Sequence, residues 1–469
     1  MKAWKKLWPT AIKFRVVANL LRLSGIILNS KSQDKISSDQ IIYLNQSGLL
    51  WNSKKDIGRL IQRFKQAFEK YRRGFYFQAM DEAAEVLQEI YAISEVRDSD
   101  HFPSLLSPTW TVNIGQSIQI AYLLRAAKLG LVPDGPRSAL IDFRQRPNSG
   151  VSPDRSGRVI EYLDLPLQSI YLDSQLKWHD TIMLAPFIEQ YEMVRGIGKF
   201  MGQSELAHEV LRMSYFKNNT DGFLQLRNEY IEWAQIFLKK EFGIDLERDW
   251  FCALHIRRVN SSEDMKLSNP LNYWPAIEEI TKRGGYVVNF GSHRWKMLER
   301  NSRVIDLSLE SNLGLDSAKL HAFLIYASRF LITTHSGPRS LANALGKPTI
   351  NVNLVSPALN FFATPYSLSI PKHFVHKGRN LTFREILNSR FAFSEAGMSD
   401  ALIDGVEIIE NSAEEIRHGV LDMLEQLELG CGNLHFNLTV DKIYAESKSI
   451  SRGNFAPSFI AKMPSEYLD

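Results

Sequence analysis

The segment from Thr333 to Pro348, Thr-Thr-His-Ser-Gly-Pro-Arg-Ser-Leu-Ala-Asn-Ala-Leu-Gly-Lys-Pro, carries residue types that suit an anion. An apolar strand run ends at Thr334, a His335-Ser336-Gly337-Pro338-Arg339 turn follows, and a helical pattern opens at Ser340. A helix start presents unpaired N–H groups and a partial positive charge, and a glycine lets the backbone come close to a phosphate. Ser336 and Ser340 add hydroxyls and Arg339 adds charge. An ordinary strand–turn–helix with serine capping has the same spelling, so both readings stand on this segment alone.

A second segment, His255-Ile256-Arg257-Arg258, directly follows the apolar run Trp250–Leu254. Arginines placed there emerge at the carboxyl edge of a sheet, and the guanidinium fork matches phosphate oxygens in pairs. A third strand end, Asn289-Phe290-Gly291-Ser292-His293, reaches the same edge, where a nucleotide base or ribose is the expected contact. Plain surface arginines and a plain turn are the alternatives. All three segments close strands within one α/β stretch, so their convergence on one crevice is expected.

The elements that must position these residues follow from periodicity. Strand runs Trp250–Ile256, Tyr286–Phe290, Val304–Leu307, Phe330–Thr334 and Thr349–Asn353 alternate with helical stretches Asn269–Thr281, Asp316–Ser328 and Ser340–Leu345. Such alternation predicts a doubly wound parallel sheet, whose ligands sit at the carboxyl ends of the strands. An earlier βαβ unit is expected from a strand at Ser107–Val112, an Asn113-Ile114-Gly115-Gln116-Ser117 turn, a helix at Ile118–Leu129 and a strand at Ala139–Asp142. Arg146–Arg158, rich in Pro, Gly, Ser and Asp, reads as a loop. Further upstream, helical periodicity over 57–71 and 75–94 predicts a hairpin.

The chain has 469 residues, 44% apolar and 23% charged, which accommodates two domains of ordinary globular composition. A net charge of +4 argues against a nucleic-acid partner, which needs a concentrated basic face. Two distant cysteines, Cys252 and Cys431, build neither a disulfide framework nor a zinc site and suit a reducing cytoplasm. Residues 1–28 interleave Lys2, Lys5, Lys6, Lys13, Arg15 and Arg22 with Trp4, Trp8, Phe14 and Leu20. Such a basic amphipathic helix suits peripheral contact with a membrane surface, or packs on the protein itself. No Gly-x-Ser-x-Gly elbow, His-Glu-x-x-His helix, Walker lysine loop or Gly-x-Gly-x-x-Gly turn is present, which disfavours hydrolase, metalloprotease, ATPase and dehydrogenase chemistry.

The run Ser336-Gly337-Pro338, Ala342, Ala344-Leu345-Gly346, Pro348 resembles the diphosphate-binding turn of GT-B glycosyltransferases such as the heptosyltransferases. The strand into His255-Ile256-Arg257-Arg258 is similar to the donor site of GDP-fucosyltransferases, and Trp250–Asn353 resembles a glycosyltransferase family of bacterial surface-polysaccharide gene clusters. Asn113, Gly115 and Gln116 match the start of that family's first domain, with Gln116 where a histidine often stands. His335 occupies a position where heptosyltransferases usually carry Asp, and Val259-Asn260 stand where the fucosyltransferase pattern turns acidic. The likeness covers roughly residues 100–425.

The resemblance implies an α/β, GT-B-like chain of two Rossmann-type domains behind an N-terminal helical extension. The expected boundaries are 1–99 for the extension, 100–242 for the acceptor domain, 243–430 for the donor domain and 431–469 for a tail. The implied reaction moves a sugar from a nucleotide-sugar donor to a hydroxyl of a glycan or lipid-linked acceptor, in surface polysaccharide or lipopolysaccharide synthesis. No cofactor or metal is implied: Arg257, Arg258 and the Ser336–Arg339 turn would neutralise the leaving diphosphate. Asp98-Ser99-Asp100 has the spelling of a metal motif but follows a helical stretch and reads as a solvated loop. Asp142 is the candidate general base from the first domain, against a structural role. The expected location is the cytoplasm, at the inner face of the membrane. Two rivals remain: a pyruvyltransferase-like enzyme on the same scaffold, and a nucleotide-sugar-binding protein without catalysis.

Overall fold

The computed structural model describes residues 63, 66, 70, 78, 82, 85, 104–106, 114–129, 139–142, 155–165, 167–170, 224–257, 266, 268–291, 293–295, 301–308, 317–355, 357, 367–389, 404–429, 438–446 and 454–468. The chain divides into two compact units, Met1–Gly222 and Phe223–Asp469.

In the first unit, β1 (Ser104–Leu106), β2 (Ala139–Asp142) and β3 (Leu167–Ile170) form a parallel sheet in that order. Helix α1 (Ile114–Lys128) connects β1 to β2. It starts a turn earlier than the sequence reading placed it, so Gly115 and Gln116 are helical rather than in a turn. The reason is Ile114: it is buried with Ile118, Ala121 and Tyr122, which extends the apolar face by one turn. The strand expected at Ser107–Val112 lies outside the described residues; the described strand is β1. The expected loop over Arg146–Arg158 gives way at Arg155–Tyr162 to a 3-10 helix, with Val159, Ile160 and Tyr162 buried. Within the upstream stretches, Arg63 pairs with Glu85 at 2.6 Å and Lys70 with Glu82 at 2.5 Å. That register runs antiparallel, as a hairpin requires.

The second unit opens with α2 (Asn228–Phe242). Seven strands follow in its main sheet: β4 (Phe251–His255), β5 (Tyr286–Asn289), β6 (Val304–Asp306), β7 (Phe330–Thr333), β8 (Thr349–Leu354), β9 (Ser367–Pro371) and β13 (Asn454–Phe455). Their spatial order is β13-β9-β8-β7-β4-β5-β6, and every pairing is parallel. From β4 the chain winds outward through β5 and β6, then returns beside β4 as β7 and winds the other way through β8 and β9. This is the doubly wound Rossmann order, with its switch point between β4 and β7. A small antiparallel sheet, β10 (His373–His376), β11 (Arg379–Asn380) and β12 (Val406–Ile409), lies beyond it.

Cys252 and Leu254 of β4, Ile332 of β7, Ile350 and Val352 of β8 and Ile370 of β9 share one core. It also takes Ala276, Ile277 and Ile280 of α3 (Trp274–Lys282) and Ile416, Val420 and Met423 of α7 (Ala413–Glu428). Gly419 of α7 sits against Ile350 and Ile370, where a Cβ would collide with both side chains. Elsewhere α4 (Ser317–Ala327) and α5 (Gly337–Ala344) pack together. Trp233 of α2 meets Phe323 of α4 edge-on at 6.4 Å between ring centroids, and Leu224 N donates to Ala344 O at 2.7 Å. These contacts tie 224–242, assigned by sequence to the first domain, to the second unit.

Within the segment read as a tail, 431–469, the described residues 438–446 and 454–468 are part of the fold. Helix α8 (Leu438–Glu446) and α9 (Pro457–Lys462) flank β13, which adds a parallel strand to β9. Phe455, Phe459 and Tyr467 join Phe383 of α6 (Phe383–Asn388) and Tyr444 in one aromatic cluster. Burial of those rings is what orders so short a strand. Both units carry parallel α/β architecture, as expected of the class.

Candidate functional site at the switch point

β4 and β7 are neighbours in the sheet, and His255 at the end of one is in register with Thr333 at the end of the other. The chain after each strand therefore emerges at one place. His255 Nδ1 lies 3.2 Å from Ser336 Oγ, joining segments 81 residues apart. Ser336 Oγ donates to Thr334 O at 3.2 Å and Thr333 Oγ1 donates to the same carbonyl at 3.1 Å. Thr333 Oγ1 also lies 3.1 Å from Ser336 Oγ, and which of His255 Nδ1 and Ser336 Oγ donates is set by the imidazole tautomer. Ser336 is the N-cap residue of α5, yet its side chain makes no cap bond to the helix. The hydroxyl is committed to His255 and Thr334 instead, so the first amides of α5 carry no side-chain acceptor from the cap. Gly337 and Pro338, expected in the turn before the helix, form its first turn; Pro338 has the φ a helix start needs and no N–H to satisfy.

The charges here have one sign. His335 is 8% exposed, and its Nδ1 has no hydrogen-bond partner among the described residues. Burial pushes this imidazole well below the usual histidine range, and the cations Arg339, Lys266 and Arg257 push it further. Burial, then His321 and Arg257, bring His255 down to about 3. Among the described residues, no carboxylate contributes to either shift. Arg257 is half-buried and has no hydrogen-bond or ion-pair partner among the described residues. Arg339 and Lys266 are buried, at 4% and 6% exposure. Positive charge gathered beside a helix start favours an anion.

The end of β5 meets the same cluster. Gly291 has φ +117, and a Cβ there would lie 2.9 Å from His255 Cδ2 and 3.1 Å from Nε2. Only glycine allows that approach without strain. The Phe290 ring contacts both His255, tilted at 5.4 Å, and His321, edge-on at 5.1 Å between centroids. One strand further out, Asp306 accepts from Asn289 Nδ2 at 2.6 Å and from Ser308 Oγ at 3.0 Å, and Arg294 Nε is 3.7 Å away.

Of the residues singled out by sequence, His255, Arg257, Gly291, Thr334, His335, Ser336, Gly337, Pro338, Arg339 and Ser340 all fall at the carboxyl end of this sheet, on or beside the ends of β4, β5 and β7. Ser336, Gly337 and Ser340 are half-exposed, whereas Thr334, Pro338 and Arg339 are buried. Thr334 lends its carbonyl to the turn rather than an exposed hydroxyl. Arg258, Ser292, Asn113 and residues 1–28 lie outside the described residues. In the first unit, Asp142 ends β2 and Gly115 and Gln116 open α1, so all three stand at the carboxyl edge of that sheet. Lys266 and His321 were not found by sequence. Lys266 sits in a polar loop and His321 on a helix read as apolar, and neither has a local pattern pointing to β7.

Among the described residues, no group of three or more His, Cys, Asp or Glu side chains is arranged to hold a metal ion, and no helix is long and apolar enough to cross a membrane.

No family model matches the chain, and no curated protein matches it. Similar solved structures include a glycosyl transferase family 9 protein from Veillonella parvula, 13% identical over 69% of this chain and 95% of that one, with a TM-score of 0.38. The ADP-heptose LPS heptosyltransferase II of E. coli is 15% identical over 62% and 82%, with a TM-score of 0.27. UDP-GlcNAc 2-epimerase from Methanocaldococcus jannaschii is 10% identical over 75% and 82%, with a TM-score of 0.22. The Rossmann character of the second unit rests on its own strand order and connections.

Proposed function

We propose that this chain is a glycosyltransferase whose second unit holds the diphosphate of a nucleotide-sugar donor at the β4–β7 switch point. The observation that carries the reading is the geometry of the switch point: the ends of β4 and β7 emerge side by side, His255 Nδ1 lies 3.2 Å from Ser336 Oγ, Arg257 follows β4, and the cap hydroxyl of the α5 start is engaged away from the helix. Breaking a sugar–phosphate bond leaves negative charge on the departing diphosphate. Fixed cations and amides stabilise that charge without reorganising as it forms. Arg257 is the guanidinium best placed to receive it, with Arg258 as its sequence neighbour. Ser340 and the Gly337 amide supply further donors.

In this reading the reaction needs no metal, and a hydroxyl of a glycan or lipid-linked acceptor in surface polysaccharide synthesis is the nucleophile. Asp142 is the proposed base, supported by its place at the carboxyl end of β2, with Gly115 and Gln116 on the acceptor side. The enzyme would work in the cytoplasm at the membrane surface, reached through residues 1–28.

A thermal-shift screen with UDP, GDP, CMP, ADP and their sugars tests the donor site, because specific binding raises the unfolding temperature by mass action. One nucleotide should stabilise the wild type, and Arg257→Ala should abolish most of that shift. No stabilisation by any of them removes the reading. Sugar-dependent release of the nucleoside diphosphate then separates an enzyme from a protein that only binds.

A further inference from the structure

The face of the main sheet beneath α5 is polar. His255, Thr333, Asn351 and Ser369 stand in register on β4, β7, β8 and β9, so their side chains form one row on one face. Thr349 and Ser367 pair in the next row, toward the amino ends of the strands. The alternate positions Ile332, Ile350 and Leu368 belong to the core shared with α3 and α7 on the other side. Helix α5 packs on β7 and β8 and is fastened to the polar face at both ends. Ser336 Oγ lies 3.1 Å from Thr333 Oγ1 and 3.2 Å from His255 Nδ1, and Asn343 Oδ1 accepts from Ser367 Oγ at 2.9 Å.

Between these two fastenings the helix crosses β8. Thr349 Oγ1 there donates to Lys347 O at 3.0 Å. Asn351 is 2% exposed, and neither Oδ1 nor Nδ2 of its amide has a hydrogen-bond partner among the described residues. Buried polar atoms are nearly always bonded, and a whole amide left bare costs stability that an apolar strand residue would not. Two residues of α5, Arg339 and Ser340, lie one turn from both Ser336 and Asn343 and so share their face. Arg339 is the buried one. An amide oxygen accepts from a guanidinium and orients it, and, being neutral, leaves the arginine its full charge.

We propose that Asn351 is a positioning residue of the diphosphate site: its amide is bare in the empty protein, and its oxygen accepts a hydrogen bond from Arg339 once a diphosphate sits at the start of α5. No covalent bond changes. This inference rests on the diphosphate reading and adds to it the residue that aims one of its cations.

The test uses the full chain and inorganic pyrophosphate, with binding followed by calorimetry and folding by thermal unfolding. It runs as a cycle of Asn351→Val, Arg339→Gln and the pair; Arg339→Lys takes its place in the cycle should Arg339→Gln fail to fold. Asn351→Val leaves no polar atom bare, so without pyrophosphate it should unfold no lower than the wild type. It should nevertheless bind pyrophosphate about tenfold more weakly. The pair should bind no more weakly than the arginine variant alone, because both lose one shared interaction. Unchanged affinity in Asn351→Val, or an equal loss in both backgrounds, overturns the positioning role. A lower unfolding temperature for Asn351→Val also overturns it, since the amide would then be bonded in the empty protein. In each of these cases Arg257-dependent pyrophosphate binding leaves the phosphate site standing. Absence of pyrophosphate binding to the wild type overturns both.

Discussion

Two polar clusters lie close together at the carboxyl end of the same sheet and are built on opposite principles. After β8, Asn353 and Asn411 clasp one another: Asn353 N donates to Asn411 Oδ1 at 2.6 Å and Asn411 N donates to Asn353 Oδ1 at 2.7 Å. Asn353 Nδ2 donates to Ser268 Oγ at 2.8 Å, Ser268 meets Tyr273 OH at 2.7 Å, and Asn411 Nδ2 donates to Pro371 O at 2.8 Å. This cluster is buried and its named groups answer one another, even holding Asn353 at φ 54. After β7, by contrast, buried atoms of Thr334 and His335 lack partners among the described residues, and the charged groups among them that act on His335 are cationic. A network closed on itself holds a fold together. A network left open, with one sign of charge, is arranged for something that arrives from outside.

The largest effect expected to separate the clusters is acid. His255 and His335 have folded-state values below the unfolded value near 6.5, so the unfolded chain binds more protons below that pH. The His255 contribution is present above pH 6.5 and lost as pH falls toward 3, at about 1.4 kcal/mol per pH unit, and His335 acts in the same direction below pH 6.5. Thermal unfolding followed from pH 8 to 4 should show this decline, and a flat profile from pH 6.5 to 4.5 contradicts it. Glu415 adds a lower window: burial opposes its charge, but bonds from His373 and Ser412 outweigh that and hold it at about 2, so its share is lost only below pH 4.5.

Next in size is Asn411→Ala, which strands the Asn353 amide and the Pro371 carbonyl. It should cost about 2–3 kcal/mol in urea unfolding and leave nucleotide affinity unchanged. Arg257→Ala should do the reverse, lowering nucleoside diphosphate affinity about ten- to hundredfold by calorimetry while the melting temperature moves by only about 2 °C. If each variant changed both properties alike, the division between the clusters would be wrong. The smallest effect is that of Ser336→Ala, which removes the hydroxyl between His255 and Thr334. A loss of about 1 kcal/mol in stability is expected, with the nitrogen shifts of His255 reporting a changed tautomer balance.

The doubly wound sheet was legible in the sequence because buried parallel strands read as continuous apolar runs, and runs such as Trp250–Ile256 and Phe330–Thr334 alternate with helical stretches across glycine-containing turns. The turn before α5 was legible because glycine, proline and serine fall where a strand must become a helix. The start of α1 was misplaced because Gly115 looks like a breaker, while Ile114 is decided by burial. The tail was missed for a related reason: Asn454-Phe455 is too short to show periodicity and forms a strand only because β9 offers an open edge and the aromatic cluster takes Phe455.

The sequence by itself determined which residues end strands, and hence which side chains stand at the carboxyl edge of each sheet, because alternation and apolar length are local properties of a chain. Only the tertiary structure decided that His255 would touch Ser336, that Lys266 and Arg339 would be buried facing His335, and that Asp306 would be held by Asn289 and Ser308. Those outcomes depend on strand order and on which charges share a low-dielectric space, and neither is written in the spacing of residues along the chain.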